Sequence, residues 1–311
     1  MTPERIVFSS TLSPEAESYL REQFPSSHEL RVRTARGVTD DDLAWATGIC
    51  VNNIPADKIR AQDNIGWLHV PAVGIDPFLS LRETRPDLHI TRHGPFNARA
   101  VAEHGLGLLL ALRREIPAMV EAKPRRIWAR DPIFKRHPPL VAGSQIHVLG
   151  FGPVAQTVIT LLAAVGAEIT VYRRSAEGNH PGVKHFRALH DLATHIGGAD
   201  ALISVLPGHP EIKHRINATV LDSMQPSSVL VNLGRSDVLD HEALVAALTA
   251  DRLAGAALDV FDQEPLPPES PLWSAPNLII SPHVGGQFRG NLHRGIDIFL
   301  GEFEQWLAQR G

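Results

Sequence analysis

HVLGFGPVAQTVITLLAAVGAEITVYRRS, residues 147–175, is the stretch on which the fold reading turns. An apolar strand runs into Gly150-Phe151-Gly152, Pro153 and Val154 open a helix of apolar period, and a second strand follows from Glu168 to Tyr172. A strand, a G-x-G-x-x-G/A turn and a helix make a phosphate cradle. The glycines let the backbone approach a pyrophosphate lying at the helix N-terminus, and the third small residue, here Ala155, permits close helix–strand packing. The second strand of such a unit ordinarily closes on an acid that accepts hydrogen bonds from ribose hydroxyls. This chain offers Arg173, Arg174 and Ser175 instead.

Outward from that unit, short β-rich runs alternate with helical ones almost to the end, the pattern of α/β layers built on parallel sheets. An N-terminal set comprises RIVF (5–8), ELRVRT (29–34), GICVN (48–52), WLHV (67–70) and LHIT (88–91). A second set opens at Gln145 with IHVLG and continues through EITVY, ADALISV, SVLVNLG, GAALDVF and NLIIS. Two doubly wound parallel-sheet domains follow from this. Between the sets, NARAVAEHGLGLLLALRREIPAMVEA (97–122) predicts one long helix from Ala98 to about Val120, too apolar for a fully solvated face, and KPRRIWARDPIFKRHPP (123–139) reads as a basic, Pro-interrupted arm. The last run, GNLHRGIDIFLGEFEQWLAQ, predicts a helix with no strand after it, which must pack on something earlier.

Composition narrows the function classes. A chain of 311 residues, 43% hydrophobic, is long enough for two domains with their own cores. A net charge of -4 argues against a general nucleic-acid binder. Cys50 is alone, so no disulfide forms within the chain and a reducing compartment is the simplest home. The first ten residues, MTPERIVFSS, carry Glu4 and Arg5 and lack an apolar core, which argues against a secretory signal. The most apolar run, LGLLLAL at 106–112, is too short for a membrane span. A soluble cytoplasmic protein is expected. No metal is expected either, because HEAL at 241–244 and EH at 103–104 lack the second histidine of a zinc helix.

Five separated motifs carry a resemblance: AVAEHGLGLLLAL (100–112), VLGFGPVA (148–155), VLVNLGRSDVLD (229–240), GAALDVFDQEPLP (255–267) and NLIISPHVGG (277–286). Together they resemble the D-isomer-specific 2-hydroxyacid dehydrogenase family, which includes glyoxylate, hydroxypyruvate and phosphoglycerate dehydrogenases. A weaker echo, WLHVPAVGID (67–76), is similar to the family's substrate-binding loop. The resemblance implies a Rossmann-type nucleotide domain, 97–286, inserted into a flavodoxin-like substrate domain formed by 1–96 and 287–311. It also gives the orphan C-terminal helix a place, on the N-terminal sheet.

The same resemblance implies a set of site residues. Reduction of a 2-keto acid needs a cation for the substrate carboxylate, a proton donor for the carbonyl oxygen, and a group that keeps that donor protonated. The family's arginine falls on Arg235, whose guanidinium fork suits a carboxylate. Its histidine falls on His283, the acid in reduction and the base in oxidation. Its glutamate falls on Glu264, whose carboxylate beside an imidazole favours the protonated ring. Val73 and Gly74 correspond to the loop whose backbone N–H groups meet the substrate carboxylate, and Asp259 to an acid near the nicotinamide carboxamide. Leu206 and Pro207 join Gly150, Phe151, Gly152, Pro153 and Val154 as expected cofactor contacts. Without the motifs each residue also has a plainer reading. Arg235 could be a solvated strand-end arginine, Glu264 an ordinary acid in a Pro-rich loop, Asp259 a turn acid, and Val73-Gly74 any strand-to-helix turn. His283 is singled out among 16 histidines only by its motif.

The arginines after the second strand bear on the cofactor. An acid there would repel the extra phosphate of NADP, whereas a cation in its place supplies a partner for a 2′-phosphate. NADP(H) is therefore expected over NAD(H), which stays possible. The plainer alternative is two solvated loop arginines. Asn52, Asn53 and the side chains around Val73 are expected to shape a pocket for a small 2-keto acid of the glyoxylate or hydroxypyruvate kind. Glu264 argues against a formate dehydrogenase, where the family pattern has glutamine. The family also forms a two-fold contact through the region of the long helix, so a homodimer through the nucleotide domain is expected. The arm residues Lys123, Arg125, Arg126, Arg130, Lys135 and Arg136 then read as a solvated dimer arm rather than a nucleic-acid patch. A second function class stays open, a nucleotide-sensing binding protein of the corepressor type on the same fold; the absence of long disordered tails favours the enzyme.

Overall fold

The computed structural model describes residues 2–131, 133 and 137–310. Lys135 and Arg136 of the basic arm lie outside the described residues. The chain divides into two compact units, Met1–Phe96 with Phe288–Gly311, and Asn97–Gln287.

The first unit is built on a five-stranded sheet of β1 (Arg5–Ser9), β2 (Glu29–Arg33), β3 (Gly48–Cys50), β4 (Trp67–Val70) and β5 (His89–Arg92). Every pairing is parallel and the spatial order is β2-β1-β3-β4-β5, the flavodoxin-like order. Alternation along the strands sends side chains to two faces. Val7, Ile49 and Leu68 meet Leu43, Ile59 and Phe78 on one side. On the other, Ile6, Phe8 and Trp67 meet Leu20, Phe24 and the helix Asn291–Ala308. That last helix has its partner here: Trp67 stacks on Phe299, Phe303 and Trp306 with ring centroids 5.4, 5.6 and 5.4 Å away.

Two histidines are sealed into this unit. His69 is fully buried, with Nδ1 2.8 Å from the Thr91 hydroxyl, which also accepts the Trp67 indole N–H. The ring of His93, also buried, lies 5.0 Å from that of His69. Burial disfavours the charged ring. It lowers His69 to about 3, with a further push from His93, and it lowers His93 to about 4.

The second unit is a seven-stranded parallel sheet of β6 (Gln145–Leu149), β7 (Glu168–Arg173), β8 (His185–Ala188), β9 (Ala201–Ser204), β10 (Val229–Asn232), β11 (Gly255–Leu258) and β12 (Leu278–Ile280). Its order is β12-β11-β10-β9-β6-β7-β8. Read from β8 inward, this is the Rossmann order 3-2-1-4-5-6 with one strand added. β8 is an element the sequence pattern does not announce. HFRA is short, half-exposed and at the sheet edge, and it is reached from β7 by turns and bends rather than a helix.

The long helix expected over 98–120 is two helices, Ala98–Arg113 and Ile116–Ala122. Pro117 has no N–H to give to the carbonyl four residues earlier, and its ring would collide with it. Glu115 therefore turns left-handed, φ 59°, and Pro117 sits in the first turn of a new helix, where its missing N–H costs nothing. The first helix packs its Ala102, Leu108 and Leu109 against the helix Pro153–Ala164 and the sheet.

The histidine shifts fix a sign for the acid response. His69 and His93 are neutral in the fold but titrate near 6.5 when exposed, so the unfolded chain takes up more protons as pH falls. Their contribution is fully present above 6.5 and is lost on the way down, toward 4 for His93 and toward 3 for His69. Urea unfolding followed by tryptophan fluorescence should show stability falling from pH 7 to pH 5 by on the order of 2 kcal/mol per histidine. The fall should be shallower when either is replaced by Asn, and a slope unaltered by both replacements would contradict the assignment.

Candidate active site

Parallel strands all end at the same edge of a sheet, so the residues that follow them are gathered there whatever their separation in sequence. In the second unit Gly150 follows β6, Arg173 ends β7, Leu206 and Pro207 follow β9, Arg235 follows β10, Asp259 follows β11 and His283 follows β12. Thirteen of the expected site residues thus belong to one edge or to the helix that starts there: these seven, with Phe151, Gly152, Pro153, Val154, Arg174 and Ser175.

The Gly-rich turn fits a dinucleotide pyrophosphate. Gly150 has φ 104°, and a Cβ there would meet the Val205 carbonyl oxygen at 3.1 Å, so only glycine closes the turn without strain. Gly152 caps the helix Pro153–Ala164 with no side-chain hydrogen bond, and a Cβ placed on it would find open space. The first N–H groups of that helix are thus left for an anion. Arg173 lies beside this turn. Its guanidinium sits 5.5 Å from the ring centroid of Phe151, the residue between the two glycines, and donates to the Glu177 carbonyl. Phe151 is held edge-on by Phe186 and His180. Arg174 and Ser175 are exposed.

His283 and Glu264 form a pair. The imidazole Nδ1 and Glu264 Oε2 are 2.7 Å apart, and Oε1 of the same carboxylate accepts the Phe261 N–H at 3.0 Å. The carboxylate is thereby held from both sides, and it places the proton of the ring on Nδ1. The other nitrogen, Nε2, makes no protein hydrogen bond among the described residues, and the side chain is half-exposed. Arg235 is reached through a short turn stapled by the buried Asn232. Its Oδ1 accepts the Gly234 N–H, and its Nδ2 donates to the Arg235 carbonyl. The guanidinium of Arg235 donates to the Gly234 carbonyl.

Asp259 is buried, and its carboxylate accepts the Ser281 hydroxyl and the N–H groups of Val284 and Gly285. His104 Nε2 lies 2.8 Å from the Ser281 oxygen. Neither Ser281 nor His104 stands out in the sequence beyond its place in a motif. Val73 and Gly74 belong to the first unit, in the loop after β4, where Arg92 at the end of β5 donates to the Val73 carbonyl. Arg92 too escapes sequence reading, since nothing local ties a strand-end arginine to a loop 19 residues earlier. Among the described residues no group of three or more His, Cys, Asp and Glu could hold a metal ion, and no helix is long and apolar enough to cross a membrane.

A Rossmann sheet with a Gly-rich turn, inserted into a flavodoxin-like unit and carrying a histidine–carboxylate pair, defines a two-unit nucleotide-dependent oxidoreductase class. Residues 106–285 match the family model described as D-isomer specific 2-hydroxyacid dehydrogenase, NAD binding domain, and the chain belongs to that family. It is 30% identical over 262 residues to a glyoxylate reductase of Thermofilum pendens, covering 84% of this chain and 75% of that protein. With glyoxylate/hydroxypyruvate reductase B of Pectobacterium carotovorum it shares 34% identity over 247 residues, 78% of this chain and 77% of the other. Among solved structures, an NADPH-dependent glyoxylate/hydroxypyruvate reductase of Sinorhizobium meliloti in complex with citrate superposes with a TM-score of 0.80. Its identity is 26%, over 98% of this chain and 95% of that one.

Proposed function

We propose that this protein reduces a small 2-keto acid, of the glyoxylate or hydroxypyruvate kind, to the D-2-hydroxy acid, with NADPH favoured over NADH. The observation that carries the reading is the His283–Glu264 pair at the sheet edge that also holds the Gly-rich turn. Similarity to glyoxylate and hydroxypyruvate reductases supports the substrate class.

Each residue has a task in that reaction. A reduced nicotinamide, when bound, supplies the hydride. Gly150, Gly152 and the N–H groups opening the helix Pro153–Ala164 hold its pyrophosphate, with Leu206 and Pro207 lining the same edge. Arg235 grips the substrate carboxylate and polarises the keto group through its planar fork. In the first unit, Val73 and Gly74 are the backbone donors that the family's substrate-binding loop would use. His283 gives the proton on Nε2 to the carbonyl oxygen as negative charge develops there, and Glu264 stabilises the imidazolium until that moment. Arg173 and Arg174, with Ser175, meet the 2′-phosphate.

The remaining parts of the reading concern setting and partner. One buried thiol fits a reducing, cytoplasmic home. The second unit exposes Ile116, Met119 and Val120 before the basic arm, Ile127 and Trp128 within it and Leu140 just after it. Such a patch on a chain of this family supports a second copy as its occupant, giving a homodimer. Sedimentation should give a dimer at micromolar concentration, and Trp128→Glu with Val120→Glu should shift it to monomer; a monomeric wild-type chain would refute this part.

His283→Asn should lower turnover by about 10²-fold or more while NADPH affinity stays near its wild-type value. Near-native turnover on every 2-keto acid tested would remove His283 from the chemistry. The cofactor preference rests on Arg173. A dianionic phosphate met by one or two arginines in a partly exposed site predicts an NADPH preference on the order of 30- to 100-fold in kcat/KM. Arg173→Asp should collapse or invert it while the NADH rate holds or rises. Equal use of the two cofactors by the wild-type protein would make the arginines solvated loop residues.

A further inference from the structure

The turn that carries His283 is backbone-strained and is held by a partly buried polar chain that reaches it from a different part of the sequence. His283 has φ 55°, in the left-handed region that non-glycine residues rarely occupy. Such a conformation persists only where the surroundings over-determine it. Here the determinants are visible. Asp259, 3% exposed, accepts the next two backbone N–H groups, Val284 at 3.0 Å and Gly285 at 2.9 Å. Ser281 supports the same carboxylate through its hydroxyl.

The direction of the hydrogen bonds follows from the donor inventory. An ionised carboxylate only accepts, so Ser281 commits its single proton to Asp259. The oxygen of Ser281 is then an acceptor for His104 Nε2, 2.8 Å away, and the ring must carry its proton on that nitrogen. The same Nε2 lies 3.5 Å from Asp259 Oδ1. Space is filled as closely as the hydrogen bonds are. A Cβ on Gly285 would come within 2.7 Å of Asp259 Oδ2 and 3.1 Å of the His104 ring, and one on Gly286 within 2.4 Å of the Asn97 amide. Asn97 caps the helix Ala98–Arg113 that bears His104. One helix and one carboxylate therefore bound residues 284–286 on both counts.

We infer that His104, acting through Ser281, is a positioning residue for His283. Its N–H satisfies the buried Ser281 oxygen, Ser281 keeps its proton on Asp259, and Asp259 keeps the two N–H groups that hold His283 left-handed. A proton donor displaced by an ångström loses much of its rate, so the effect is read in the chemical step and not in cofactor binding. This inference rests on the reading of His283 as the proton donor.

The test uses the full chain in three variants. His104→Leu removes the donor, Ser281→Ala removes the link, and His104→Gln keeps an N–H within reach of Ser281 without an imidazole. For His104→Leu and Ser281→Ala, kcat with glyoxylate or hydroxypyruvate should fall by roughly ten- to hundredfold, with KM changing less. NADPH should still bind at one per chain, with Kd within about twofold of wild type, and His104→Gln should regain kcat to within about threefold. Should the Leu variant fail to fold, read as loss of the wild-type circular dichroism spectrum, Ser281→Ala and His104→Gln decide alone. Wild-type kcat in both His104→Leu and Ser281→Ala overturns the inference while leaving the proposed activity intact. So does a loss of NADPH affinity that parallels the loss of kcat, or a Gln variant as impaired as the Leu one. A wild-type protein that turns over no 2-keto acid overturns the activity, and the inference with it.

Discussion

Everything at the candidate site depends on the parallel pairing of the seven strands in the second unit. Because none of them reverses, six segments spread from residue 150 to residue 283 deliver their first loop residues to a single edge. An antiparallel neighbour would send its loop to the opposite edge. The apolar strands that make this possible, such as VLVN and GAAL, are buried on both faces, as a sheet covered by helices requires. Core and site are thus two readings of one arrangement: the strand bodies supply burial, and their ends supply chemistry.

The side chains at that edge are fixed by groups that themselves do nothing to a substrate. Asn232 staples the turn before Arg235, Phe261 donates its N–H to Glu264, and Phe151 lies under the Arg173 guanidinium. In each case a polar group is held by backbone or by a ring whose own position is set by packing. Such preorganisation is what allows a charge or a proton to be placed before a ligand arrives. The acid Asp259 is buried, as Asn232 is. It answers to the turn following β12 rather than to the surface.

Most of the fold was legible because apolar period and β-branched content are local properties. All five strands of the first unit and six of the seven in the second can be read from them. β8 could not, since an edge strand with His185 and Arg187 among its four residues has no apolar run to display. The break at Glu115 was legible in principle, as Pro117 is in plain view, but the apolar pattern continues across it and hides the change of direction. At the site, His283, Glu264 and Arg235 were marked by motifs. Ser281, His104 and Arg92 matter through partners 22, 177 and 19 residues away, and no pattern within a window carries such a pairing.

The stack of Trp67 on the helix Asn291–Ala308 gives the chain an order of assembly. As the polypeptide leaves the ribosome, residues up to 96 emerge with part of one face of their sheet bare, because Phe299, Phe303 and Trp306 have not yet been made. The intervening unit has its whole sheet once residue 280 is out, and domains generally fold as units during synthesis. The N-terminal part of the first unit must therefore wait, its tryptophan uncovered, while the later-made unit closes. A nascent chain of this design stays open to aggregation until the closing helix is made.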